Sequence, residues 1–286
     1  MKHRPALLEG EKLGLRYALA LPQATLAGLR GEQLGKRAGS SVDFQDYRDY
    51  QPGDDLRHID WNAFARTDQL IVKLFREEAQ PHLDLILDTS GSMALKGTPK
   101  ADALLKLAAI FSTAAMNARC SQAVWMTGEG FNRVGNDTEP PSAWAGIEVA
   151  GAHTFEESFA ILPPALRRQG IRVLISDLLW PGDPLPTLRK LSEDAAALYV
   201  VQLLSEDDME PPEPGNLELV DSETGETLNL YIDATIREQY HQTFIRFQQS
   251  WDNAARKTGA KLVTLTAENL ENSLRRLEEI DALEPI

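Results

Sequence analysis

Residues 81–286 predict an α/β protein built on a doubly wound, mostly parallel sheet with helices on both faces. Two observations carry this. Apolar runs such as HLDLILD, IRVLISD and AAALYVVQLL stop abruptly at polar residues, as strands buried on both faces do. Stretches of helical length and helical periodicity stand between them, and no internal repeat is evident.

Taken in order, HLDLILD is the first core strand and PKADALLKLAAIFSTAAMNAR a long amphipathic helix with Pro99 near its first turn. SQAVWMT is a strand, with EGFNRVG pairing beside it. TFEESFAILPPALRRQG reads as a helix with Thr154 at its N-cap, Glu157 completing a capping box and Gly170 at its end. The Pro163-Pro164 pair should kink or interrupt it. IRVLISDLL is a strand, DPLPTLRKLSED a short helix and AAALYVVQLL another strand. SEDDMEPPEPGN is a surface loop, and LELVDSETGETLNLYI a β-hairpin insertion turning at Thr224-Gly225. A long helix from Ala234, the strand AKLVTLT and a helix over AENLENSLRRLEE complete the pattern.

The first 80 residues differ: they are rich in Gly, Arg, Asp and Tyr, with little sustained periodicity. They are expected to form an N-terminal extension packed on the body, with residues 81–286 as the main domain. IVKLFREE should add an edge strand antiparallel to HLDLILD. Lys2, Arg4, Lys12, Arg16, Arg30, Lys36 and Arg37 face only Glu9, Glu11 and Glu32 over the first forty residues. Such an arm docks on the acidic remainder, binds an acidic partner, or is a solvated face.

With 43% hydrophobic and 25% charged residues, the composition is that of a globular protein rather than a disordered one. The net charge of -14 argues against nucleic acid as a partner, because neutralising phosphates needs a basic face. It suits a hard cation or a basic protein surface, besides favouring solubility. A single cysteine, Cys120, permits no internal disulfide and reads as a small buried hydrophobe. The longest apolar patch near the N-terminus, Tyr17 to Leu21, is far short of a signal sequence or membrane span. A soluble, cytoplasmic protein is expected, without direct membrane insertion.

Chemistry concentrates at strand ends, where α/β sheets bind ligands. Asp88 closes LIL and Asp177 closes LIS, and Ser90 and Ser92 follow Asp88 on alternate positions. A lone acid there would be read as a cap. Two acids with alternating hydroxyls favour a metal, and an oxygen-only set suits Mg²⁺ or Mn²⁺. Zinc is disfavoured, since His3, His58, His82, His153 and His241 are scattered. The G-x-S-x-G nucleophile elbow is absent. An aspartyl-phosphate motif would need an acid where Ser90 stands, and no phosphate loop is present.

D-x-S-x-S at the end of the first core strand resembles the metal ion-dependent adhesion site of von Willebrand factor A-type domains. That family completes the site with a threonine on a later loop and an aspartate closing a later strand, positions filled here by Thr154 and Asp177. The resemblance implies a site of Asp88, Ser90, Ser92, Thr154 and Asp177. The two serines and either the threonine or an aspartate would bind the ion directly. The last coordination position would await a carboxylate from a partner protein.

Residues 39–78 closely resemble the signature of the bacterial "domain of unknown function fifty-eight" family. The matching positions are Asp43-Phe44, Arg48, Tyr50, Pro52 to Asp55, Arg57, Ile59 to Trp61 and Ala65-Arg66. Read physically, Pro52-Gly53 is a turn and Asp54 or Asp55 an N-cap. Arg48, Arg57 and Arg66 with Asp54, Asp55 and Asp60 suggest a charge-paired cluster holding this segment to the body. Members of the family are thought to work as adaptors for MoxR-type AAA+ ATPases. The expected function is therefore a non-enzymatic, divalent-metal-dependent protein-binding module, an adaptor or co-chaperone to such an ATPase. The alternative is a phosphatase-like metal-dependent hydrolase using Asp88 and Asp177, with His153 as the one candidate base.

Overall fold

The computed structural model describes residues 3–22, 44–52, 54–75, 80–136, 138–149, 151, 153–222 and 225–286. The chain divides into two compact units, one of Met1–Leu21 with Pro81–Ile286 and one of Pro22–Gln80. The change in sequence character at residue 80 is thus one unit boundary, but the first 21 residues belong with the later part of the chain.

The reason lies in α1 (Arg4–Gly14), whose buried stripe is Ala6, Leu7, Gly10, Leu13 and Gly14. These recur at helical spacing, but two of the five are glycines, so the stripe is hard to see as apolar. Next comes β1 (Tyr17–Leu19).

The second unit holds β2 (Phe44–Asp49), α2 (Trp61–Thr67) and β3 (Ile71–Phe75). β2 and β3 form an antiparallel pair of their own, Asp49 opposite Ile71. Asp55 caps a 3-10 turn at Leu56–His58 by accepting from the Arg57 amide, and Asp60 caps α2 by accepting from Asn62 and Ala63. The charge pairs are local: Arg48 to Asp54 at 2.9 Å and Arg57 to Asp55 at 2.6 Å. Arg66 donates to the Asn62 carbonyl rather than to an acid, and Asp60 meets Lys73 and Tyr47. Asp43, Gly53 and the basic residues Lys2, Arg30, Lys36 and Arg37 lie outside the described residues.

The body resumes with β4 (His82–Leu87), α3 (Lys100–Asn117), β5 (Ser121–Gly128) and β6 (Gly130–Val134). Then come α4 (Phe155–Ile161), β7 (Ile171–Ser176), α5 (Pro184–Ser192) and β8 (Ala197–Leu204). A one-turn α6 (Glu206–Met209) leads into β9 (Gly215–Val220) and β10 (Thr227–Ile232), then α7 (Ala234–Thr258) and β11 (Lys261–Thr266). α8 (Leu270–Ser273), α9 (Arg275–Glu279) and β12 (Leu283–Pro285) complete the described chain. The helix expected over AENLENSLRRLEE is broken in two, and α4 stops at Ile161, just short of Pro163-Pro164.

The central sheet has six strands in the order β11-β8-β7-β4-β5-β6, all parallel except β6. IVKLF does not join it, because both edges of β4 are already occupied, by β5 and by β7. Alternation along the strands supplies two cores. Leu83, Leu85 and Leu87 of β4 face α3 with Val173 and Ile175, whereas Ile86 and Leu174 face α4, α5 and α7 with Phe155, Leu188 and Trp251. Helices therefore cover both faces. β1 pairs antiparallel with β12, and β9 with β10 as the expected hairpin, whose Thr224 lies outside the described residues. Among the described residues, no helix is long and apolar enough to cross a membrane.

Cys120 is buried just after α3, and burial pushes its thiol up to about 11. At about pH 8 its alkylation by iodoacetamide is expected to be roughly a hundredfold slower in the native protein than in urea. Equal rates would show that the thiol is reached without unfolding.

Candidate metal centre

From β4 the chain builds outward to β5 and β6, and from β7 outward to β8 and β11. Strand order therefore reverses between β4 and β7, the place where open α/β sheets leave a crevice beyond their carboxyl ends. Asp88 and Asp177 are the first residues after these two neighbouring strands. The Asp88 amide donates to the Ile175 carbonyl at 2.9 Å, which continues the β4–β7 ladder into the site.

Both aspartates are buried, as are Thr89, Ser90 and Ser176. Asp88 Oδ1 accepts the Ser90 amide at 3.1 Å, and Asp88 Oδ2 accepts the Ser176 hydroxyl at 2.5 Å. The Ser90 and Ser92 hydroxyls lie 3.2 Å apart. Thr89 anchors this loop to the end of β5: its amide donates to Thr127 Oγ1 at 2.7 Å and its hydroxyl to the Thr127 carbonyl at 2.9 Å.

The segment leading to Thr154 is anchored at Gly151. Ser90 and Gly151 form a parallel bridge, and the Gly151 amide donates to the Thr89 carbonyl at 2.7 Å. Thr154 N-caps α4, accepting from the Glu157 amide at 3.2 Å, with Glu157 returning to the Thr154 amide. Phe155 stacks on Trp180 at 4.9 Å, and Ser158 donates to the Gly128 carbonyl, so α4 is held from both sides of its first turn. The structure thus links Asp88, Ser90 and Ser92 directly and sets Asp177 on the adjacent strand end, while Gly151 is tied to Thr89 and Ser90 and Thr154 itself is engaged in the cap of α4. His153 stands 3.8 Å from Glu157 at the start of α4.

Three participants are not legible in the sequence as site residues. Lys100, fully buried at the start of α3, donates to Asp177 Oδ2 at 2.8 Å and to Asp208 Oδ2 at 2.9 Å. Burial alone would lower the ammonium's pKa, but the two carboxylates outweigh it and hold it above the usual lysine value. Asp208 lies in the segment expected to be surface loop. It is instead buried in α6, where its carboxylate also accepts from the Ser205 amide and hydroxyl. Ser176 is the third. The one available hint was Lys100 in the first turn of a helix, where the macrodipole disfavours a cation.

Leu178, fully buried, takes a left-handed φ of 62° immediately after Asp177. That conformation costs a branched residue roughly 1–2 kcal/mol. Its amide donates to Ser176 Oγ at 2.9 Å, and the next amide, of Leu179, donates to Asp177 Oδ1 at 3.1 Å. The strained turn folds the backbone back onto the side chains of Ser176 and Asp177 and fixes both.

Burial first, and Asp177 next, push the Asp88 carboxyl up to about 6, against hydrogen bonds from Ser176 and Ser90. Asp88, Asp177 and Asp208 oppose one ammonium, so a buried cluster carries two formal negative charges in excess. A divalent cation matches that charge. Asp88 Oδ1 accepts from the Ser90 amide and Oδ2 from the Ser176 hydroxyl, and a carboxylate oxygen has a further lone pair, so the donor set of two carboxylates and three hydroxyls suits a hard cation. Among the described residues, no three or more His, Cys, Asp or Glu side chains converge as a metal site. A cation here would thus rest on hydroxyls as much as on acids.

Comparison with known proteins adds relatives at low identity. Uncharacterized protein Rv1480 of Mycobacterium tuberculosis and uncharacterized protein Mb1516 of Mycobacterium bovis are each 26% identical over 295 residues, covering 92% of this chain and 89% of the relative. Among solved structures, an aerotolerance-related membrane protein from Bacteroides fragilis aligns with 11% identity and a TM-score of 0.37, over 70% of this chain and 98% of that one. The conserved hypothetical protein BatB from Bacteroides thetaiotaomicron aligns with 9% identity and a TM-score of 0.33 over the same shares. The model of the family described as "Protein of unknown function DUF58" matches residues 46–250, from the Arg48–Asp60 segment through the whole candidate site into α7. This chain belongs to that DUF58 family.

Proposed function

We propose that this chain is a non-enzymatic, divalent-cation-dependent protein-binding module of von Willebrand factor A-like build, an adaptor or co-chaperone to a MoxR-type AAA+ ATPase. One observation carries the reading: two buried aspartates, Asp88 and Asp177, close neighbouring strands where strand order reverses, with the Ser90 and Ser92 hydroxyls beside them. Asp88, Ser90, Ser92, Thr154 and Asp177 would hold Mg²⁺ or Mn²⁺. When bound, the ion would supply a positive centre for a partner's carboxylate. The chain's own task is orientation. Ser176 and the Ser90 amide fix Asp88, while Lys100 and the Leu179 amide fix Asp177. The ATPase as partner follows from family resemblance.

The test is capture of a purified MoxR-type ATPase by the full-length chain. Wild type is expected to retain it in Mg²⁺ and to release it in EDTA. Asp88→Ala and Ser90→Ala are each expected to abolish capture with an unchanged circular dichroism spectrum. Undiminished capture by both variants in EDTA would sink the proposal. Mg²⁺-dependent turnover of p-nitrophenyl phosphate, lost in Asp177→Ala, would instead favour the hydrolase.

A further inference from the structure

The β9–β10 hairpin is a two-stranded sheet to itself, and neither strand has a second neighbour among the described residues. Its register sets Leu217 opposite Leu230 and Leu219 opposite Leu228. Because side chains alternate along a strand, these four leucines share one face. Leu219 is 38% exposed and Leu228 58%. A lone hairpin is marginal in water, and an open apolar strand edge is a template for a further strand.

Charge narrows what can cover it. Residues 191–236 contain twelve Asp or Glu and no Lys, Arg or His. Glu218 sits within β9, and Asp221 and Glu226 flank the turn. A second copy brought onto this hairpin would set acid against acid, whereas a basic segment meets opposite charge, with Glu218 on the face opposite the leucines and Asp221 and Glu226 beside the turn.

We propose that the hairpin docks an extended segment of a partner protein in which apolar and cationic residues alternate. Its apolar side chains lie on the Leu219–Leu228 pair, its backbone adds to a strand edge, and its Lys or Arg residues meet the acids. This surface does not depend on the candidate metal centre.

A fluorescein-labelled heptapeptide alternating leucine and lysine tests it, titrated into the full-length chain in EDTA and followed by anisotropy. Saturable binding is expected, weakened by salt and weakened about tenfold in L219S/L228S with an unchanged circular dichroism spectrum. E218K/E226K keeps the leucine face and is expected to weaken binding of the same peptide, and a serine-lysine peptide should bind more weakly to wild type. Equal affinity of wild type and L219S/L228S for the leucine-lysine peptide overturns the proposal. So does sedimentation showing a wild-type dimer that L219S/L228S dissolves, since a second copy then covers the face.

Discussion

Replacing Lys100 with methionine is expected to lower the free energy of unfolding by about 3–5 kcal/mol, read from chemical denaturation. The ammonium is fully buried and bonded to both Asp177 and Asp208. Methionine fills much of the same volume but leaves two buried carboxylates without their shared cation, and it is this orphaned charge that makes the loss large. Removing one of the charges should therefore return part of the stability: Lys100→Met with Asp208→Asn is expected to unfold at a higher denaturant concentration than Lys100→Met alone. A Lys100→Met midpoint within about 1 kcal/mol of wild type would mean that water already screens the triad.

Gly10→Val is expected to cost about 1–3 kcal/mol or more and to expose the first helix to protease. A Cβ on Gly10 would fall 2.4 Å from the Lys106 carbonyl oxygen and 2.7 Å from Ala109 Cβ, and one on Gly14 would fall 2.7 Å from Thr113 Cβ. α1 and α3 thus pack backbone against backbone. Gly10→Ala gives the sharper readout. In an exposed helix interior, alanine stabilises by about 0.5–1 kcal/mol relative to glycine. A loss of stability at this position reverses that sign, and a gain would show that the helices can part at little cost.

These two positions also show where sequence reading stops. The core strands were legible because burial on both faces of a parallel sheet leaves an unbroken apolar run. Asp88 and Asp177 were legible because each ends such a run. The Thr154 cap and the stop before Pro163 follow from chemistry within one helical turn, and the structure has both. Lys100 reaches partners 77 and 108 positions away, and no local pattern encodes that pairing. Asp208 was hidden by its setting, an acidic, proline-rich run whose composition says surface although one of its acids is a buried counter-ion. α1 was hidden by the glycines that let it pack so closely. IVKLF has a strand's composition, but its partner is decided by which edges are open, and β2 offers one where β4 does not.

The pairing of β1 with β12 has a bearing on synthesis. Leu19 meets Leu283, and the Ile286 amide donates to the Arg16 carbonyl. Contacts between residues so far apart in the chain form slowly, because closing a long loop precedes any gain from it. On the ribosome, the residues of β1 emerge early but have no strand to join until residues 283–285 have left the exit tunnel. The β2–β3 pair, by contrast, has all of its residues by position 75. During translation the smaller unit has its partners at hand while the larger one waits, and the apolar stripe of α1 is left to α3 for cover in the meantime.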